Sequence, residues 1–113
     1  MITAADFRRL ALSMPGAVES SHMDHPDFRV GNRIFATLSG DETWGMVKLT
    51  PETQRFYLAA APTAFVPAKG AWGAQGSTMV RLSAADEASV HEAMETAWRS
   101  AAAKAQPRKK RAR

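Results

Sequence analysis

The stretch His25-Pro26-Asp27-Phe28-Arg29-Val30-Gly31-Asn32-Arg33-Ile34-Phe35-Ala36-Thr37-Leu38 reads as two short strands joined by a tight turn. Gly31-Asn32 is the turn. A two-residue hairpin needs a positive backbone dihedral at its first central position, which glycine adopts freely, and asparagine tolerates the place beside it. A turn of fixed length pins the register of the strands it joins. Phe28 and Val30 before the turn, and Ile34, Ala36 and Leu38 after it, then give each strand an apolar face by period-two alternation.

Toward the N-terminus, Thr3-Ala4-Ala5-Asp6 has the form of a capping box, with Asp in place of the commoner Glu. Phe7, Leu10, Ala11 and Met14 follow at helical spacing, which predicts a helix from about Ala4 to Ser13. Pro15-Gly16 ends it, and Ala17 to Met23 predicts a strand. Beyond the hairpin, Ser39-Gly40-Asp41-Glu42 forms a second turn and Thr43 to Leu49 a further strand of an antiparallel meander. Thr50-Pro51-Glu52 supplies an N-cap, a proline where the missing donor costs nothing, and an acid placed favourably for the helix dipole. That helix runs to about Ala60, before Pro62. Residues 63–77 hold Pro67, Gly70, Gly73 and Gly76 beside Phe65, Val66 and Trp72, a pattern that predicts an ordered loop without a regular element. Thr78 to Leu82 predicts a strand, and Ser83-Ala84-Ala85-Asp86-Glu87 caps a long final helix. Val90, Met94, Ala97, Trp98 and Ala101 share one face of it. The expected class is α+β, an antiparallel sheet with helices packed on one face, in the order α-β-β-β-α-β-α.

A chain of 113 residues, 45% of them hydrophobic, supports one core. One domain is assigned to residues 1–104 and a disordered basic tail to residues 105–113, where almost nothing apolar is available to bury. The absence of cysteine excludes disulfides, thiolate zinc sites and cysteine nucleophiles, and fits a reducing cytoplasm. No secretory signal opens the chain and no segment has the apolar length of a membrane span, so a cytoplasmic protein without a membrane partner is expected.

The net charge of +4 is unevenly placed. Lys104, Arg108, Lys109, Lys110, Arg111 and Arg113 supply six of the fifteen basic residues, and residues 1–103 hold nine basic and eleven acidic side chains, a balance of −2. Basicity is a property of the tail. A run such as Lys109-Lys110-Arg111 attracts DNA, RNA and anionic surfaces alike.

Ser20 to Leu38, together with Val47-Lys48-Leu49-Thr50-Pro51-Glu52 and Gly70-Ala71-Trp72-Gly73, resembles the MmcQ/YjbR family of small bacterial proteins over about residues 3 to 100. The resemblance implies a fold like that of frataxin and CyaY, and a DNA-binding role, the label usually given to that family. It makes Trp72 and Gly73 signature residues without assigning them a role.

Several constellations carry residue types suited to chemistry. His22-Met23-Asp24-His25-Pro26-Asp27 packs two imidazoles and two carboxylates into six residues, suited to metal or acid/base work. In an extended segment, however, His22 and Asp24 take one face and His25 and Asp27 the other, and no third ligand converges. Gly70, Gly73 and Gly76 offer close backbone approach to a phosphate, but the run lacks the Gly-Lys-Ser/Thr ending of a P-loop and precedes a strand. Ser20, Ser21 and Ser77 lie in no nucleophile elbow, and His91-Glu92 lacks the second histidine of a zinc protease. No catalytic residue, metal or cofactor is expected.

Arg29, Arg33, Lys48, Lys69 and Arg81, with Trp44 and Trp72, form the best nucleic-acid set of the domain, Arg29 and Arg33 flanking the hairpin turn as a wing. Arg108, Lys109, Lys110 and Arg111 add phosphate affinity from the tail. The first expectation is therefore a non-enzymatic DNA-binding protein. A second, from another class, is a small-molecule or protein-binding module whose pocket is made by His25, Phe65, Trp72 and Gly73; fold alone does not choose between them. A third, an enzyme using His22, His25 and Asp27, requires those side chains to meet in one cleft.

Overall fold

The computed structural model describes residues 1–105. Helix α1 (Ala4–Leu12) starts from a complete capping box: Thr3 Oγ1 accepts from the Asp6 N–H, and the Asp6 carboxylate accepts from the Thr3 N–H. Four strands follow without interruption, β1 (Val18–His22), β2 (His25–Val30), β3 (Arg33–Leu38) and β4 (Trp44–Lys48). Helix α2 (Pro51–Ala60) starts at the expected Thr50 cap, with Pro51 in its first turn. Then come β5 (Phe65–Pro67), a short helix α3 (Gly70–Ala74), β6 (Ser77–Arg81), a 3-10 turn (Leu82–Ala84) and the long helix α4 (Glu87–Ala105). All pairings are antiparallel, in the order β1-β2-β3-β4-β6-β5.

The α+β class holds, and the element order is longer than expected. The stretches expected as strands before α2 number four, one more than the order α-β-β-β-α-β-α counts, and all four form; Met23-Asp24 is the tight turn between β1 and β2. Both turn residues have positive φ, as do Gly31 and Asn32 in the next hairpin. Residues 63–77 are ordered, as expected, but hold two regular elements. Phe65–Pro67 is an edge strand and Gly70–Ala74 a helical turn, stabilised by pairing to β6 that no local pattern announces.

One face of the sheet carries the core. Phe28, Ala36, Leu38, Val47, Val80 and Phe65 are buried there beneath Phe7, Leu10 and Ala11 of α1, Tyr57 of α2, and Val90, Ala93, Met94 and Ala97 of α4. Gly45 lets α1 close down: a β-carbon there would fall 2.4 Å from the Phe7 ring. Trp98, expected in the same stripe, is only half-buried and donates Nε1–H to the Pro15 carbonyl at 2.9 Å, tying α4 to the loop after α1.

Strict alternation fails at one place. The β2–β3 register shifts between Phe28 and Arg29, which face Ala36 and Ile34 respectively, so Phe35 is an extra residue, a β-bulge. Phe35 is fully buried, whereas Ile34 turns to the uncovered side of the sheet and lines its hollows.

Candidate nucleic-acid interface

The uncovered face of the sheet has two aromatic–cation pairs at opposite ends of the β4–β6 ladder. Trp44 faces Arg81 in register and Lys48 faces Ser77. The four-residue offset along the strand separates the two ends by roughly 13 Å at about 3.3 Å per residue. At one end the Arg81 guanidinium stacks 4.4 Å from the Trp44 ring centroid. At the other, the Lys48 ammonium lies 5.7 Å over Trp72, which stands on α3.

Two glycines and a buried amide hold α3 there. A β-carbon on Gly73 would meet the Ala68 carbonyl oxygen at 1.8 Å, and one on Gly76 the Leu49 carbonyl oxygen at 1.9 Å. Gln54, buried on α2, donates from Nε2 to the carbonyls of Gly73 at 3.1 Å and Ser77 at 3.0 Å. Gln54→Ala takes one donor from each carbonyl, which keep the N–H groups of Gly76 and Ala68 respectively, and is expected to cost about 1 kcal/mol of stability in a denaturant titration.

The result is an exposed indole: Trp72 is 64% accessible, the most exposed aromatic residue of the described chain. It forms the ridge between two adjoining hollows. One, about 510 Å³, is lined by Arg33, Lys48, Trp72 and Lys104 among others, and the second, about 360 Å³, by His22, Met46, Lys48, Lys69 and Trp72. Their linings share Ile34, Lys48, Trp72 and Ser77. Together they carry four basic side chains and no Asp or Glu. Residues 1–103 balance to −2, and against that background these hollows are a local patch of one sign.

The expected cation set thus divides. Lys48 and Lys69 meet at Trp72, and Arg33 joins them from the hairpin turn across the first hollow. Arg81 stands at the far end of the ladder. Arg29 is committed elsewhere: its Nε donates to Asp27 Oδ1 at 2.8 Å and its Nη2 to Oδ2 at 3.0 Å. Asp27 is fully buried, and His22 Nδ1 shares a hydrogen bond of 2.7 Å with Oδ2. The Arg29 guanidinium, against the opposing effect of burial and with help from His22, holds the Asp27 carboxyl below the usual carboxylate range. Arg29 and Arg33 therefore do not form a two-armed wing. Arg108, Lys109, Lys110 and Arg111 lie outside the described residues.

Phe65 and Trp72 do not share a pocket. Phe65 faces the core, its ring 5.1 Å from that of Tyr57, while Trp72 faces outward. Gly73 is buried as a spacer under α3. His25 is exposed, its ring 6.2 Å from that of His22, and it is His22 that lines the second hollow. The histidine cluster is a hairpin rather than an extended segment, and cross-strand pairing of His22 with His25 carries His22 round to Asp27. Among the described residues no three His, Asp or Glu side chains come together as a metal-holding group, and no helix is long and apolar enough to cross a membrane. Burial, then Glu92, pushes the Tyr57 phenol up to about 12, which keeps it protonated at neutral pH. Sequence reasoning missed Lys104 as a groove residue and His22 as the lining histidine, because both positions depend on which elements meet rather than on local spacing.

A six-stranded antiparallel sheet with its helices on one side and a basic, tryptophan-ridged hollow at the end of the ladder defines a small α+β protein. The YjbR family model matches residues 12–100, and the chain belongs to the YjbR family. Among solved structures, the chain is similar to the Deinococcus radiodurans protein DR2400, a DUF419-domain protein, with a TM-score of 0.73, 20% identity and coverage of 87% of this chain and 77% of that one. Identity at that level carries the fold alone. Among curated proteins none matches.

Proposed function

We propose that this protein is a non-enzymatic DNA-binding protein of the YjbR family, gripping the phosphate backbone through the groove at Trp72 and through its basic tail. The observation that carries this reading is the segregation of charge: Arg33, Lys48, Lys69 and Lys104 line two adjoining hollows without one acidic neighbour in the lining, on a domain that is otherwise slightly anionic. Gathered cations of one sign bind a polyanion by releasing its counterions, which a scattered, mixed-sign surface does not do. Lys104, in the last turn of α4, lines the first hollow, and Arg108-Lys109-Lys110-Arg111 follow it within seven residues of sequence. Tail and groove then act on one stretch of backbone.

Binding of DNA at a series of salt concentrations tests this. Each phosphate contact contributes about −0.9 to the slope of log K against log salt for duplex, and about −0.7 for single strands. Truncation after Ala105 is expected to flatten the slope by several such steps, and Lys48→Glu in the truncated chain to remove what binding is left. Full affinity after both changes would reject the proposal.

The alternative, a small-molecule module, draws support from the volumes of about 510 and 360 Å³, within the range of ligand pockets. It predicts a tryptophan fluorescence response to a small ligand that is indifferent to salt.

A further inference from the structure

We infer that the groove takes single-stranded rather than duplex nucleic acid, with an unpaired base laid against Trp72; this rests on the nucleic-acid reading above and specifies its substrate. Three observations lead there. Trp72 is 64% exposed, and Lys48, 5.7 Å from its centroid, is the cation that lies over its ring. An indole held outward by two glycines that tolerate no side chain is a platform, and its face is satisfied by another flat ring. In a duplex every base face is already covered by its neighbours, so only an unpaired base can use such a platform. The hollows on either side are concave, and at about 510 and 360 Å³ they are of the size of a ligand pocket, whereas a duplex presents a broad convex cylinder. The cations stand on both sides of the ring, Arg33 and Lys104 beyond one hollow and Lys69 beside the other, with Lys48 between. They form a track for successive phosphates flanking a stacked base. An electropositive groove with an aromatic step is the arrangement by which strands are held without sequence preference.

The test uses the full-length chain and three fluorescein-labelled probes in anisotropy titrations at one low salt concentration: a 12-nucleotide oligo-dT, an RNA of the same length, and a 12-base-pair duplex. The single strands are expected to bind about tenfold more tightly than the duplex. Trp72→Ala is expected to lower single-strand affinity by about tenfold and duplex affinity by much less, since stacking on one aromatic side chain accounts for a change of that order. Trp72→Phe retains most of the affinity, which a merely structural role for the indole does not require. Trp72 is exposed, so these variants are expected to fold; circular dichroism checks it. Equal binding of strand and duplex, both weakened by Lys48→Glu, would overturn the single-strand inference and leave the nucleic-acid reading standing. Absence of binding to all three probes would remove both. Preference for the RNA over oligo-dT supports the inference and assigns the sugar.

Discussion

Replacing Arg29 by methionine is expected to lower the melting temperature by roughly 10–20 °C while leaving the affinity for nucleic acid and its salt slope as they were. Both halves follow from where the guanidinium is spent. Its Nε and Nη2 hold the two oxygens of Asp27 at 2.8 and 3.0 Å, and Asp27 is fully buried in the sheet. A buried carboxylate stripped of its main counter-charge is strongly destabilising, because the remaining partner, His22 at 2.7 Å, carries a full charge only when protonated. The pH dependence separates this from a simple loss of packing. Asp27 has its folded-state carboxyl held below the ordinary value, so its contribution is fully present above the unfolded value of about 3.8 and is lost as pH falls through the lower folded value. Wild type is expected to lose that increment of stability below about pH 4, and Arg29→Met to show a flatter acid limb. Urea melts at a series of pH values measure it. Parallel acid limbs for the two proteins, or a reduced salt slope in Arg29→Met, would contradict this account.

Gly76→Ala is expected to cost on the order of 4 kcal/mol, near the upper end for single substitutions. Two effects add. Gly76 has φ of +114°, a region that side chains disfavour, and a β-carbon there would stand 1.9 Å from the Leu49 carbonyl oxygen and 2.8 Å from the Thr50 carbonyl carbon. Neither neighbour can give way, since both are main chain at the junction of β4 and α2. Gly76 is itself fixed through its carbonyl, which accepts from the Leu49 N–H at 3.2 Å and the Thr78 hydroxyl at 2.8 Å. Gly70 provides the internal control. Its φ is also positive, at +64°, but a β-carbon there meets nothing within 4 Å, so Gly70→Ala should cost about 1 kcal/mol, the backbone strain alone. Thermal melts of the two variants, and a fall in single-strand affinity of Gly76→Ala even where it remains folded, check the link between this glycine and the seating of Trp72. Equal, small costs for both would mean that the β4–α2 junction yields.

The elements readable in the sequence are those whose cause lies within a few residues. The Thr3 and Thr50 caps, Pro51 in the first turn and the Gly31-Asn32 turn each specify a backbone event through their own chemistry, and α1, α2 and the central hairpin follow from them. The strand end at Met23 was readable but the tight turn Met23-Asp24 was not, because methionine at positive φ has no local reason to be there; the pairing of His22 with His25 holds it. Phe35 and Ile34 exchanged faces for a similar reason. A β-bulge is a property of two strands in register, and alternation counted along one strand does not reveal it. Edge strand β5 and helix α3 are built from a run of prolines and glycines that reads as a loop until β6 offers a partner and Gln54 offers an amide.

By itself the amino-acid order determined the α+β class, the hairpin at the centre, the helix starts, and the concentration of net positive charge in the last ten residues, all consequences of local stereochemistry and composition. Only the folded arrangement decided which cations act together. Packing buried Asp27, and Arg29, two residues on along the same strand, is held to that carboxylate by both its oxygens. Chain closure brought Arg33, Lys48, Lys69 and Lys104, which lie far apart along the chain, around one exposed indole. Charge adds over the whole chain and can be counted from residues alone, but an electric field has a direction, and direction exists only once distant segments have been placed side by side.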